Sequence, residues 1–186
     1  MNDVKIGRRD FIGLGMLGFV LSFFPRGVLA AARSPLTIER SLSLQNIHTG
    51  ESLNTVYWAQ GDYLPEALDD LNYILRDHRT GEIKPIDTQL LDLFHALSEK
   101  LCARQPFHII SGYRSQATND LLRRRGRGVA RNSLHLQGKA VDIRLPGCDL
   151  SVLRESAIGL RGGGVGYYPR SGFVHVDIGR LQCWSF

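Results

Sequence analysis

Long apolar runs are scarce in this chain of 186 residues. The only one extends from Phe11 to Phe24 and stops at Pro25, short of the roughly 20 residues that a membrane-spanning helix needs. Cysteine is sparse as well. Cys102, Cys148 and Cys183 have no metal-motif spacing, which excludes a zinc ribbon or finger. In an oxidising compartment two of them can pair and leave one free; three unpaired structural thiols fit equally well, and no chemistry is assigned to them. Low-complexity tracts and internal repeats are absent, so neither a solenoid nor a disordered tail is expected. The charge excess is small: formally +5 over the full chain, which does not demand nucleic acid.

What is present begins with an export signal. Arg8 and Arg9 precede the apolar stretch, and Ala30, Ala31 and Ala32 follow it. A charged start, a short apolar middle and a small-residue exit make a secretory signal. The paired arginines with Phe11 resemble a twin-arginine signal, although Gly7 stands where Ser or Thr is usual and no lysine closes the motif. Residues 1–30 are therefore expected to be removed, with cleavage after Ala30 or Ala32, leaving residues 31–186 as one domain with no stable membrane span. Removing a segment with Lys5, Arg8, Arg9 and Arg26 against Asp3 and Asp10 leaves about +3. A mildly basic exported protein suits an anionic polymer such as a cell wall and points to the periplasm.

The mature chain mixes two periodicities. Ser41 to Ile47 and Leu53 to Trp58 alternate as strands, with His48-Thr49-Gly50 as the turn between them. Leu64, Leu68, Leu71 and Leu75 recur at helical spacing, with Pro65 in the first turn. Asp87 is placed to cap a second helix with the apolar face Leu90, Leu91, Phe94, Leu97 and Leu101. His78 and His95 on these helices read as surface or packing residues. Further on come a strand from Phe107 to Ile110 and a helix capped by Ser115. A strand from Ala140 to Leu145 follows, then a helix from Leu150 to Leu160 capped by Asp149, and strands at 165–168 and 173–178. The pattern is α+β, a small antiparallel sheet with flanking helices, and not a βαβ array.

Two strands carry chemistry. In Ala140 to Leu145, Val141, Ile143 and Leu145 share one face while Ala140, Asp142 and Arg144 share the other. In Phe173 to Ile178, His175 and Asp177 share a face opposite Val174, Val176 and Ile178. His135 lies in the loop before the first of these strands, with Gly138 allowing a tight approach. If the polar faces meet, two imidazoles and a carboxylate converge, a common catalytic zinc set with a fourth position left for water. Spacing alone leaves structural histidines as an equal reading.

Four motifs in order carry a resemblance: Ser111-Gly112-Tyr113-Arg114-Ser115; Ser133-x-His135-x-x-Gly138-x-Ala140-x-Asp142; Gly163-Gly164-Val165-Gly166-Tyr167-Tyr168; and Phe173-Val174-His175-Val176-Asp177. The chain resembles the M15 family of zinc D-alanyl-D-alanine carboxypeptidases and murein endopeptidases. Asn46-Ile47-His48-Thr49-Gly50-Glu51 and the twin-arginine start look like its exported, YcbK-like subfamily. The resemblance implies the hedgehog/D,D-peptidase zinc fold and a Zn²⁺ cofactor on His135, Asp142 and His175. The implied function is metal-assisted hydrolysis of peptidoglycan crosslink peptides. It implies that Arg114 faces the site, where a guanidinium can hold a substrate carboxylate or an oxyanion. Ser133 either binds substrate or caps its loop; Tyr113 and Tyr168 either contact substrate or pack.

The chain departs from the family at the general base. Gly172 stands where many relatives have a glutamate, and Phe173 where others have a histidine. Asp177 remains as base or as the acceptor that orients a ligand imidazole, with His48 the next candidate. The run Arg123-Arg124-Arg125-Gly126-Arg127 suggests nucleic acid in isolation, but an exported protein does not meet it, and a solvated helix end explains it. The functional alternatives are a carboxypeptidase trimming terminal D-alanine and a non-catalytic wall-binding domain that retains the zinc fold.

Overall fold

The computed structural model describes residues 39–126 and 129–186; the signal segment and its cleavage site lie outside them. The chain opens with a hairpin, β1 (Glu39–Asn46) and β2 (Ser52–Ala59), extended by a short β3 (Asp62–Tyr63). Helices α1 (Pro65–Ile74) and α2 (Thr88–Lys100) follow. Pro65 occupies the first turn of α1, and the Asp87 side chain accepts from Gln89 N–H to cap α2. Then come β4 (Phe107–Ser111), α3 (Gln116–Arg124), a 3₁₀ turn (Leu134–Gln137) and β5 (Ala140–Arg144). The chain ends with α4 (Leu150–Leu160), β6 (Gly164–Tyr168), β7 (Phe173–Asp177) and β8 (Gln182–Ser185). Ser115 caps α3 through Thr118 N–H, as its sequence suggests. Asp149 holds the cap position of α4 without a side-chain bond, so only its charge can favour that helix end.

All eight strands form one sheet in the order β3-β2-β1-β4-β5-β7-β6-β8. The expected α+β class holds, and most pairings are antiparallel. The sheet is larger than the sequence suggests, and two pairs, β1/β4 and β6/β8, run parallel. A parallel neighbour requires a crossover; α1 and α2 supply it for the first pair, and β7 intervenes for the second. β3 and β8 are too short and too exposed to show a period in sequence.

One face of the sheet's central strands is apolar. Leu44 pairs with Phe107, Ile109 with Ile143, and Ile143 with Val174. These residues join Leu71, Leu91, Phe94, Leu97 and Leu153 of α1, α2 and α4 in one buried cluster. Each such side chain contributes about 1.5–3 kcal/mol when fully buried, so the core anchors the sheet from one side. The other face is left free for polar groups.

Candidate metal centre

The strand register writes a line of residues across that second face. Ser111 pairs with Asp142, Asp142 with His175, His175 with Gly166 and Gly166 with Trp184. Directly opposed residues in adjacent strands have Cβ atoms about 4.5–5.5 Å apart. Asp142 and His175 are therefore held together by backbone pairing before any side-chain contact forms.

His135 joins them from the 3₁₀ turn. Ser133 caps that turn by accepting from His135 N–H at 3.4 Å. Gly138 closes it with a left-handed φ of 68°. A side chain at Gly138 would also meet the Pro85 carbonyl at 2.5 Å, so the glycine both ends the turn and seats it against the chain leading to α2.

His135 Nε2, His175 Nδ1 and Asp142 Oδ1 form a triangle with edges of 3.2, 2.8 and 3.3 Å. Tetrahedral zinc with bonds of about 2.0–2.1 Å separates its ligand atoms by about 3.3–3.4 Å. Two edges match. The short one joins His175 to the carboxylate, where a charge-assisted hydrogen bond draws the pair closer than a shared cation would.

The histidine tautomers suit this role. His135 Nδ1 lies 2.7 Å from the Gly112 carbonyl, which can only accept, so the ring donates there and Nε2 carries the lone pair. His175 Nε2 lies 3.1 Å from Asp177 Oδ2, so it donates there and Nδ1 is turned to the centre. Burial pushes the His135 imidazole towards the neutral form that a ligand needs. Burial would lower His175 too, but its bonds to Asp142 and Asp177 hold it at about 9, where a metal must displace a proton to bind. Burial alone would raise Asp142, yet the two imidazoles keep its carboxyl well below the usual range.

Arg114 stands beside the carboxylate. Its Nη2 is 3.6 Å from Asp142 Oδ2, and its Nη1 is 3.5 Å from Asn119 Oδ1. The residue is only 7% exposed, and among the described residues its Nε has no hydrogen-bond partner. A buried, unpaired donor beside a cavity is a place for an anionic or carbonyl oxygen to bind. Arg114, Ser133, Asp177 and the three candidate ligands line one cavity of about 470 Å³, ample for a peptide segment. Tyr113 does not line it; that ring packs against the core, with Lys84 Nζ 5.8 Å from its centroid. His48 does not line it either: its ring stacks on His78 at 3.9 Å and its Nε2 is 3.1 Å from the Ile110 carbonyl. His78 follows α1 in a turn and is not part of a helix.

Asp177 is 2% exposed. Its Oδ1 accepts from Gly164 N–H at 2.8 Å and Gly179 N–H at 2.7 Å, while Oδ2 takes His175. These bonds outweigh burial and keep it ionised. A Cβ on Gly164 would lie 2.5 Å from Asp177 Oδ2, so only glycine admits the carboxylate there.

Three contributors were not picked out from sequence. Asn119, fully buried in α3, donates to the Ala130 carbonyl at 3.2 Å and so ties a cavity-lining loop to Arg114. Asp77 accepts from Ser115 N–H at 2.9 Å and holds the segment that presents Arg114. Trp184 places its indole 5.3 Å from the His175 ring and donates to Tyr168 Oη at 2.9 Å. Single polar residues in helices or turns carry no spacing signal; the aromatic pair Trp184 and Phe186 at the chain's end was the only visible hint.

Comparison with known proteins decides the family. The family model described as peptidoglycan L,D-endopeptidase MepK matches residues 34–184. The chain belongs to the MepK family. Peptidoglycan L,D-endopeptidase MepK of Escherichia coli (strain K12) is 41% identical over 184 residues, covering 99% of this chain and 100% of that protein. The MepK of Shigella flexneri matches with the same identity and coverage. Probable peptidoglycan L,D-endopeptidase MepK of Haemophilus influenzae is 40% identical over 186 residues, covering 100% of this chain and 99% of that one. No solved structure gives a significant match. The chain is thus an α+β member of a MepK-type peptidoglycan endopeptidase family, with its His-Asp-His cluster lining a cavity.

Proposed function

We propose that this protein is an exported, zinc-dependent peptidoglycan endopeptidase that hydrolyses crosslink bonds between centres of L and D configuration. The carrying observation is the triangle of His135 Nε2, His175 Nδ1 and Asp142 Oδ1, two of whose edges suit zinc. The names of the full-length relatives supply the substrate class. When bound, zinc supplies a Lewis acid that polarises a carbonyl and acidifies water.

The chain's own groups do the rest. His135, His175 and Asp142 hold the ion. Asp177 accepts from His175 Nε2 and so orients the ring with Nδ1 towards the metal, which displaces the proton there on binding; with three of its own hydrogen bonds already made, it has less freedom to serve as base. Arg114 uses its unpartnered Nε and its remaining N–H groups to fix a substrate carboxylate or the carbonyl oxygen under attack. Ser133 caps the metal-bearing turn and lines the cavity, where it can also contact substrate. Tyr113 is assigned to packing. A wall substrate supports a periplasmic location for the mature protein. Among the described residues no helix is long and apolar enough to cross a membrane.

Purified residues 31–186 should convert L,D-linked muropeptide dimers to monomers, leave D,D-linked dimers intact and stop when a chelator removes the metal. Release of terminal D-alanine would indicate a carboxypeptidase, and intact substrate with measurable binding a wall-binding domain. Cleavage that survives complete metal removal, or in His135→Ala, would overturn the metal assignment.

A further inference from the structure

Among the described residues, none accepts the proton of the Tyr168 hydroxyl. Tyr168 lies on β6 two positions from Gly166, so period two puts it on the same sheet face as His175 and about 6–7 Å along the strand from the metal line. Its ring stacks against Phe173, with centroids 4.5 Å apart, and against Phe186 at 5.3 Å. Two stacked neighbours restrict the ring to one plane. Trp184 Nε1 donates to Tyr168 Oη at 2.9 Å. An indole N–H can only donate, so this bond occupies a lone pair and leaves the phenolic hydrogen free to turn elsewhere. Among the described residues that O–H has no acceptor. Tyr168 lines the same cavity as Arg114, His135 and Asp142. Burial raises its pKa, so the proton is in place at neutral pH.

We propose that Tyr168 is a further catalytic residue of the peptidase reaction, donating its O–H to the scissile carbonyl oxygen as that oxygen becomes an oxyanion. The inference rests on the endopeptidase reading above. Water oxygen bonds to the carbonyl carbon, the C=O π pair moves onto oxygen, and the phenol stabilises that charge without giving up its proton. The C–N bond then breaks and the amine leaves with a proton from water. A donor held in a fixed plane and already polarised by Trp184 costs little reorganisation at the moment of reaction. Arg114 supplies charge to the same oxygen or to a neighbouring carboxylate; Tyr168 supplies direction.

The test is Tyr168→Phe in the zinc-loaded mature chain, a change that removes one oxygen and keeps the aromatic stack. On an L,D-linked muropeptide dimer, kcat should fall about 10- to 100-fold, at or below the range for losing one oxyanion donor, with KM within about twofold. Independently of turnover, a phosphinate isostere of the crosslink, which mimics the tetrahedral oxygen, should bind about tenfold more weakly by calorimetry. Product monomer should bind unchanged. As a second variant, ring-fluorinated tyrosine at position 168 keeps the fold and the hydroxyl but makes the phenol more acidic. The alkaline limb of its kcat profile should move to lower pH. An active wild type with unaltered kcat and phosphinate affinity in Tyr168→Phe, or an unmoved alkaline limb in the fluorinated protein, overturns the proposal alone. A wild type that leaves dimers intact overturns the endopeptidase reading, and this inference falls with it.

Discussion

Replacing Asp177 by asparagine keeps the side chain's size and removes its charge. It also disturbs three hydrogen bonds at once. Oδ1 accepts from Gly164 and Gly179 N–H groups, and Oδ2 accepts from His175 Nε2. An amide has one oxygen and one NH₂ group. If the oxygen stays with the two backbone donors, the NH₂ faces the His175 N–H, donor against donor. His175 then protonates on Nδ1 or rotates, and the metal loses an oriented ligand. Removing such an outer partner weakens metal affinity by about 10- to 100-fold, equivalent to about 1.4–2.8 kcal/mol. Competition with a chromogenic chelator measures the affinity, and the dimer-cleavage assay with added zinc measures recovery. Positioning predicts weak zinc binding and turnover largely restored by excess metal. If Asp177 were the base, zinc would stay bound and turnover would fall by about 10²- to 10⁴-fold with no rescue. That second result would refute the positioning argument, and unchanged affinity and turnover would refute both roles.

Three further expectations follow from particular contacts. At Gly166→Ala, the new Cβ would sit 2.6 Å from the Trp184 ring. The indole must shift at a cost of about 1–3 kcal/mol, which lowers the melting temperature by about 2–4 °C per kcal/mol. A Trp58→Phe background, which leaves Trp184 as the sole tryptophan, should report a change in its emission, and an unchanged spectrum would show the packing to be looser than described. Burial would raise the pKa of Asp77, but hydrogen bonds from Thr118 and from the Arg79 and Ser115 N–H groups bring it to about 2, below its ordinary 3.8. Its stabilisation is therefore present above pH 3.8 and is lost as pH falls towards 2. Asp77→Asn should flatten the acid side of the stability curve, as read by urea midpoints from pH 5 to 2. Replacing Arg8 and Arg9 together with lysine should retain the precursor in the cytoplasm, seen by fractionation; normal appearance of the mature form would rule out twin-arginine export.

Much of the candidate site was readable before the fold. Asp142 and His175 stood out because strand period two separates them from the valines and isoleucines of the core face, and His135 because it lies, with Gly138, in the loop just before the first of these strands. That separation is a property of the chain alone. The caps Asp87 and Ser115 and the helix-starting Pro65 were equally legible, because each acts on backbone within three residues of itself. Non-local closure was not legible. β8 reaches the sheet by pairing with β6, so Trp184 meets His175 across a contact that no local pattern encodes. The same is true of Asn119 and Asp77, whose partners are carbonyls and amides of distant loops. The two roles open to Asp177 were separable only in three dimensions. Sequence placed it on the face of His175, but the amides of Gly164 and Gly179 that occupy its Oδ1 arrive from a neighbouring strand and from the turn beyond β7. Periodicity determines which side of a strand a residue faces; which groups wait on that side is decided by the register and crossovers of the sheet.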